Sequence, residues 1–258
     1  MENVAFRGFS AVTPENTLTA FRRAGQAGCH RLSSELRLSR DGRVFCFADP
    51  SLHRITGSHG WFHRLSAFEI RLRSLPFGGN AFRVERIPPL EDLLDFARDE
   101  NLALQLSIPV GTSPRWRGII DSSAEAVLDI LAPWQGKLDL QLCTSDRRML
   151  KSLLARSPWP VGGNPERYGE GLAFLEEPGL AFLVVSRDLF IPARRRKRDS
   201  FLAGGMDLLD ACRKRGLRFY IGPVRKRPEL DRLRALDLDG ILSPHTAQLA
   251  ALGIRRNT

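Results

Sequence analysis

Along almost the whole chain, short apolar runs alternate with stretches whose apolar residues recur every three or four positions. Runs of the first kind suit strands buried on both faces, and stretches of the second kind suit helices with one buried face. Parallel strands need a crossover between them, and the helix is that crossover, so the repeated order points to a parallel sheet covered by helices. Strands are expected at residues 4–6, 31–38, 44–47, 103–108, 138–143, 180–185, 218–221 and 240–242. Residues 31–38 and 44–47 are joined by a turn at Arg40-Asp41-Gly42 and count once; with Val161 as a weak fifth strand the barrel count is about eight, as a (β/α)8 barrel requires. Helices are expected at 17–28 (Leu18, Phe21 and Ala24 on one face), from Pro89 through Leu90, Leu93, Leu94 and Phe96, and at 123–131. Others follow at 146–155 with Asp146 as N-cap, at 206–215 stopped by Gly216, and at 228–236. Residues 51–86 read as an irregular insertion and 158–177 as loop. The expectation is one α/β domain over residues 1–258, a single TIM barrel without internal repeat or linker.

Length agrees, since 258 residues is close to the roughly 250 of an ordinary barrel. No apolar run approaches the roughly 18 residues of a membrane span, and the opening residues lack a basic segment followed by an apolar one. The four cysteines, Cys29, Cys46, Cys143 and Cys212, have neither metal-ligand spacing nor a disulfide framework. Together these features predict a cytoplasmic protein. The formal net charge of +10 favours anionic partners. Its densest run, Arg194-Arg195-Arg196-Lys197-Arg198, fits an acidic lipid surface or RNA, or simply a solvated loop. No interleaved aromatics make it a stacking platform, and no zinc finger, RNA-recognition signature or helix-turn-helix accompanies it.

Short motifs sharpen the picture. Phe6-Arg7-Gly8 precedes Pro14-Glu15-Asn16-Thr17 by five residues. Ser33-Ser34-Glu35 leads into Ser39-Arg40-Asp41-Gly42, and Ala48-Asp49-Pro50 opens a segment ending Arg54-Ile55-Thr56-Gly57. Ile87-Pro88-Pro89-Leu90-Glu91-Asp92 and Leu238-Asp239-Gly240-Ile241-Leu242 follow further on. In order and spacing this series resembles the glycerophosphodiester phosphodiesterase family. That family opens with His-Arg-Gly and Pro-Glu-Asn-Thr, followed by Glu-x-Asp before Asp-Gly, and then His-Asp. The resemblance implies a TIM barrel of the phosphatidylinositol-phosphodiesterase-like type. It also implies two histidines as general acid and base, and a divalent metal held by carboxylates against the phosphate.

The reactive positions differ here. The expected histidines fall on Phe6 and Ala48, the first carboxylate of Glu-x-Asp on Ser33, and a later strand carboxylate on Ser107, with Pro109 where a lysine is expected. A positioned acid or base is worth about 10²–10⁴ in rate, and neither Phe nor Ala transfers a proton. The leading expectation is therefore a non-hydrolytic relative that binds a phosphodiester or other anionic small molecule. Arg7, Glu15, Asn16, Ser33 and Ser107 are its candidate ligand residues. One alternative is a rebuilt hydrolase with Glu35 or Asp49 as acid–base residue. Another is a scaffold acting through the basic run. No cofactor is expected, with residual magnesium or calcium on Glu15, Glu35 and Asp49 as the competing reading. Arg7, Glu15 and Asp49 read equally well as a buried ion-pair network. His30, His53, His63 and His245 are the candidate substitute bases.

Overall fold

The computed structural model describes residues 1–76, 84–108, 117–190 and 198–250, with only the backbone at 76, 84, 117–122, 198–203 and 250. Its strands are β1 (Glu2–Phe6), β2 (Arg31–Leu38), β3 (Val44–Cys46), β4 (Ser74–Pro76), β5 (Val84–Arg86) and β6 (Ala103–Ser107). After these come β7 (Leu140–Thr144), β8 (Val161–Gly163), β9 (Phe182–Ser186), β10 (Arg218–Gly222) and β11 (Gly240–Ser243). Eight of them run parallel in the order β1-β2-β6-β7-β8-β9-β10-β11, and β11 pairs with β1 to close the barrel. β3 folds back antiparallel on the end of β2. Helices α1 (Leu18–Gln26), α2 (His53–Thr56), α3 (Ala67–Arg71), α4 (Leu90–Asp99) and α5 (Arg117–Leu131) come in the first half. The second half carries α6 (Arg147–Arg156), α7 (Tyr168–Leu175), α8 (Arg198–Lys214), α9 (Arg227–Leu233) and α10 (Thr246–Ala250).

Alternation along the strands divides the barrel into two cores. Residues such as Leu32, Leu104, Leu106, Leu142 and Ile221 face outward against the helices. Val4, Cys143, Phe182, Val184, Tyr220 and Leu242 fill the barrel interior. That interior has room for Phe182 and Tyr220 because their neighbours lack side chains. A Cβ on Gly162 would stand 2.3 Å from the Phe182 ring, and one on Gly240 would stand 2.5 Å from Tyr220. The N-terminal end is closed by polar groups: Arg31 pairs with Glu2 at 3.0 Å and Asp139 at 2.8 Å, and the Tyr220 hydroxyl donates to Glu2 at 3.1 Å.

Register sets what the open C-terminal end receives. Phe6 stands beside Ser33, and Ser33 beside Gln105. Glu35, Ser107 and Cys143 are likewise in register across β2, β6 and β7. Side chains two apart on a strand share a face, so these polar positions enter the barrel while the leucines between them leave it.

Several expectations are corrected. Within 158–177 the weak strand expected at Val161 is β8, but the rest, expected as loop, includes α7, whose helical signal Gly169 and Gly171 weaken. At Gly171 the two helices pack closely, with Leu208 of α8 2.9 Å from where a Cβ would be. The insertion, expected to be irregular, holds α2, α3 and the β4–β5 hairpin over a separate core of Phe45, Phe47, Leu52, Phe62, Ile70, Leu75 and Ile87. α5 starts at Arg117 rather than 123, and α8 at Arg198 rather than 206. Thr17 and Pro89 are N-caps, one residue before their helices. Of the basic run, residues 194–197 lie outside the described residues, as does Pro109. Of Arg198 only the backbone is described.

Candidate active site

The loop from Arg7 to Thr17 crosses the barrel mouth in a conformation that few sequences accept. Arg7 and Asn16 both adopt left-handed backbone, at φ 60° and 56°. Hydrogen bonds hold them there: the Arg7 amide donates to the Ser33 carbonyl at 2.9 Å, and the Asn16 amide to the Arg7 carbonyl at 3.1 Å. Gly8, at φ 74°, lies so close to α1 that a Cβ would come within 2.6 Å of the Ala20 backbone. Left-handed non-glycine residues cost on the order of 1–3 kcal/mol each and persist only where their surroundings fix them.

What this loop builds is a chain of alternating charges. Arg7 donates through Nε to Glu35 Oε1 at 2.8 Å and through Nη1 to Glu15 Oε1 at 2.8 Å. Its Nη2 lies 2.7 Å from Glu35. Asn16 donates to Glu35 at 3.3 Å and accepts from the Ser34 hydroxyl at 2.9 Å. Arg54 of α2 then clasps Glu15 at 2.6 Å and Asp49 at 2.5 Å. The sequence runs Glu35, Arg7, Glu15, Arg54, Asp49. Burial works against the charge on Arg7, and Glu35 and Glu15 more than offset it, so its pKa is raised. Hydrogen bonds from Arg54 to Glu15 and Asp49 raise its pKa as well, against the cost of burial. The Arg7 guanidinium also stands 4.7 Å from the centre of the Phe6 ring, a cation–π contact.

Beside this network a cavity of about 380 Å³ opens at the C-terminal end of the strands. Phe6, Arg7, Ser33, Glu35, Ala48 and Ser107 all line it. Glu15, Asn16 and Asp49 stand behind that wall rather than in it. Further lining comes from residues that sequence reasoning did not single out: Arg37, Gln105, Ser145, Asn164, Glu166 and Ser186. Burial lowers the pKa of Arg37, with Glu35 and Asp49 working the other way, and its Nε and Nη2 donate to the Ala48 carbonyl at 3.0 and 2.8 Å. Gln105 is only 1% exposed, and its amide nitrogen has no partner among the described residues. Its signal was present in the sequence, because Gln105 and Ser107 are the polar alternates of the otherwise apolar run Leu104-Gln105-Leu106-Ser107-Ile108. Cys143 lines the cavity as well, but burial pushes its thiol up to about 12, so it stays protonated and is no nucleophile at neutral pH.

None of the candidate histidines lines the cavity. His30 precedes β2 and so sits at the opposite end of the barrel. His53 stacks on His59 at 5.4 Å in the insertion, burial lowers the pKa of His63, and His245 follows β11.

With this geometry in place, comparison with known proteins is decisive. The family model for the glycerophosphoryl diester phosphodiesterase family matches residues 7–168, more than half of the chain. The chain belongs to that family. A glycerophosphodiester phosphodiesterase of Caldanaerobacter subterraneus subsp. tengcongensis is 22% identical over 243 residues, covering 93% of this chain and 92% of that protein. An Oleispira antarctica phosphodiesterase, solved in complex with the product sn-glycerol-3-phosphate, superposes with a TM-score of 0.81 at 21% identity, over 97% of this chain and 96% of that one. The glycerophosphodiester phosphodiesterase of Thermotoga maritima gives 0.73 at 21% identity, over 98% of each chain. At such identity the solved structures establish the fold, a barrel of the glycerophosphodiesterase kind.

The divalent cation implied by the resemblance finds a poor donor set. Among the described residues no three His, Cys, Asp or Glu side chains stand together as a cation site. Glu15, Glu35 and Asp49 are strung along one network, but Arg7 already bridges Glu35 to Glu15 and Arg54 bridges Glu15 to Asp49. Ser33 and Ser107, where carboxylates are expected, offer only neutral hydroxyls. These residues do not fit the metal.

Proposed function

We propose that this chain binds a phosphate-bearing small molecule of the glycerol-phosphate or glycerophosphodiester kind at the barrel mouth, and does not hydrolyse it. The observation that carries this reading is the composition of the cavity wall. A fixed guanidinium, Arg7, stands beside hydroxyl and amide groups from Ser33, Gln105 and Ser107, while Phe6 and Ala48 face the same space. The first set suits an oxyanion, since guanidinium bonds to phosphate oxygens are charge-assisted. The second set offers no proton. The product bound in the Oleispira antarctica protein supports a ligand of this class. The alternative, acid–base work by Glu35 or Asp49, is less well supported, because Arg7 and Asn16 clasp Glu35 and Arg54 clasps Asp49.

Calorimetry with sn-glycerol-3-phosphate and glycerophosphocholine, with magnesium, calcium or a chelator, tests the binding half. Phosphorus NMR of the same mixtures tests the chemical half. Saturable binding that survives chelation, with no phosphomonoester released from the diester, is the expected result. Cation-dependent release of glycerol phosphate would restore the hydrolytic reading, and silence at millimolar ligand would remove the binding one.

A further inference from the structure

The insertion between β3 and α4 buries one set of apolar residues and leaves another outside. Leu52, Phe62, Ile70 and Leu75 are at most 1% exposed, whereas Trp61, Phe68 and Leu72 are 48%, 71% and 61% exposed. On the described surface the other large apolar residues standing out this way are Val12 and Leu172, so three of five fall within residues 61–72. Phe68 and Leu72 are four apart, on α3 and at its C-cap, and project from one side of the helix while Ile70 points into the core.

Arginines surround this helix. Arg40 lies 3.5 Å from Glu69 of α3 and donates to the Arg64 carbonyl at 3.2 Å. Arg86 donates to the Arg71 carbonyl at 3.0 Å. Glu69 feels Arg73 as well as Arg40. With Arg64 and Arg71 themselves this makes four exposed arginines and the half-buried Arg73, against Asp41, which accepts from the Ala67 amide, Glu69, and Asp92 beside Arg71. Exposed apolar tips inside a cationic ring are the pattern of a segment that settles at a lipid interface. A second copy of the chain fits badly, because a self-complementary contact would set the arginines of one α3 against those of the other.

We infer that α3 and its arginines dock on the surface of an anionic phospholipid bilayer, with Phe68 and Leu72 entering the headgroup region. The same insertion carries Arg54, so the docked segment adjoins the site mouth. Each arginine near such a surface is worth about fivefold in affinity, and the attraction is screened by salt.

The test is sedimentation of the full chain with vesicles of phosphatidylcholine alone or mixed with phosphatidylglycerol, followed in parallel by tryptophan fluorescence. Binding to the anionic vesicles, weakening as salt is raised, is expected. Phe68→Ser with Leu72→Ser lowers it by about tenfold or more, and Arg64→Ala with Arg71→Ala by about 25-fold. None of these residues lines the cavity, so binding of sn-glycerol-3-phosphate stays unchanged and reports an intact fold. Failure to sediment with anionic vesicles overturns the inference. So does sedimentation undiminished in both variants, or a concentration-dependent dimer that both variants dissolve.

Discussion

Arg7 is the residue on which the site turns, because it is held by two carboxylates and one aromatic ring while facing the cavity. Removing it leaves Glu35, among the described residues, with the Asn16 side-chain amide as hydrogen-bond donor and the nearby charge of Arg37, and Glu15 with Arg54. The side chains concerned are about a fifth exposed, so Arg7→Ala is expected to cost less than breaking a fully buried pair, about 1–3 kcal/mol. Arg7→Lys separates the two roles. It retains the charge but cannot bridge both carboxylates and still present a planar fork to phosphate. Thermal melts should place it between wild type and Arg7→Ala, while calorimetry should show glycerol-phosphate binding weakened about tenfold or more. Lysine binding the ligand as tightly as arginine would mean that Arg7 serves the ion-pair network alone. The sequence brought Arg7, Glu15 and Asn16 to notice because they stand in consecutive motif positions. It gave no weight to Arg54 as a clasp or to Gln105, because their importance comes from partners far along the chain.

At the scale of elements, the loop from Arg7 to Thr17 depends on how α1 begins. The Thr17 hydroxyl accepts from the Ala20 amide at 3.1 Å and donates to the Pro14 carbonyl at 2.8 Å. Thr17→Ala should cost about 1 kcal/mol. Gly8→Ala should cost more, about 2–5 kcal/mol, since it adds left-handed strain to a backbone clash with Ala20. Urea unfolding checks both: the midpoints should fall in that order with the slope unchanged. If Gly8→Ala unfolds at the wild-type midpoint, the close approach of loop and helix is wrong. The spacing of Leu18, Phe21 and Ala24 made this helix legible to within one residue of its start, while the role of Thr17 as its cap emerged only from the structure. α7 was not legible, because Gly169 and Gly171 dilute its helical pattern, and the close approach of Leu208 of α8 to Gly171 is a tertiary contact.

For the molecule as a whole, the thiols give the clearest pH signature. Cys29, Cys46, Cys143 and Cys212 are all buried, and burial pushes each up to about 12. In the unfolded chain they ionise from about pH 8.5. Below that pH both states keep their protons, and the stability contributed by the neutral thiols is fully present. Above it the unfolded state loses protons that the folded state keeps until about 12, so stability falls by up to about 1.4 kcal/mol per thiol per pH unit. Melting temperature should therefore drop between pH 8 and 10, and a thiol reagent at pH 8 should find the native protein silent until denaturant is added. Rapid labelling of native protein would contradict this burial.

The amino-acid order alone carried the alternation that makes a closed parallel barrel, the family motifs, and the presence of Phe6 and Ala48 where the family resemblance implies histidines. Those follow from local patterns: periodicity, caps, and residue types at fixed spacing. Only the folded chain decided that Glu15, Glu35 and Asp49 are tied to Arg7 and Arg54, that Gln105 joins the cavity wall, and that Phe68 and Leu72 are left facing outward. Each of those outcomes depends on which distant strands and loops arrive side by side. Proximity across the barrel is a property of closure and register, which no stretch of neighbouring residues encodes by itself.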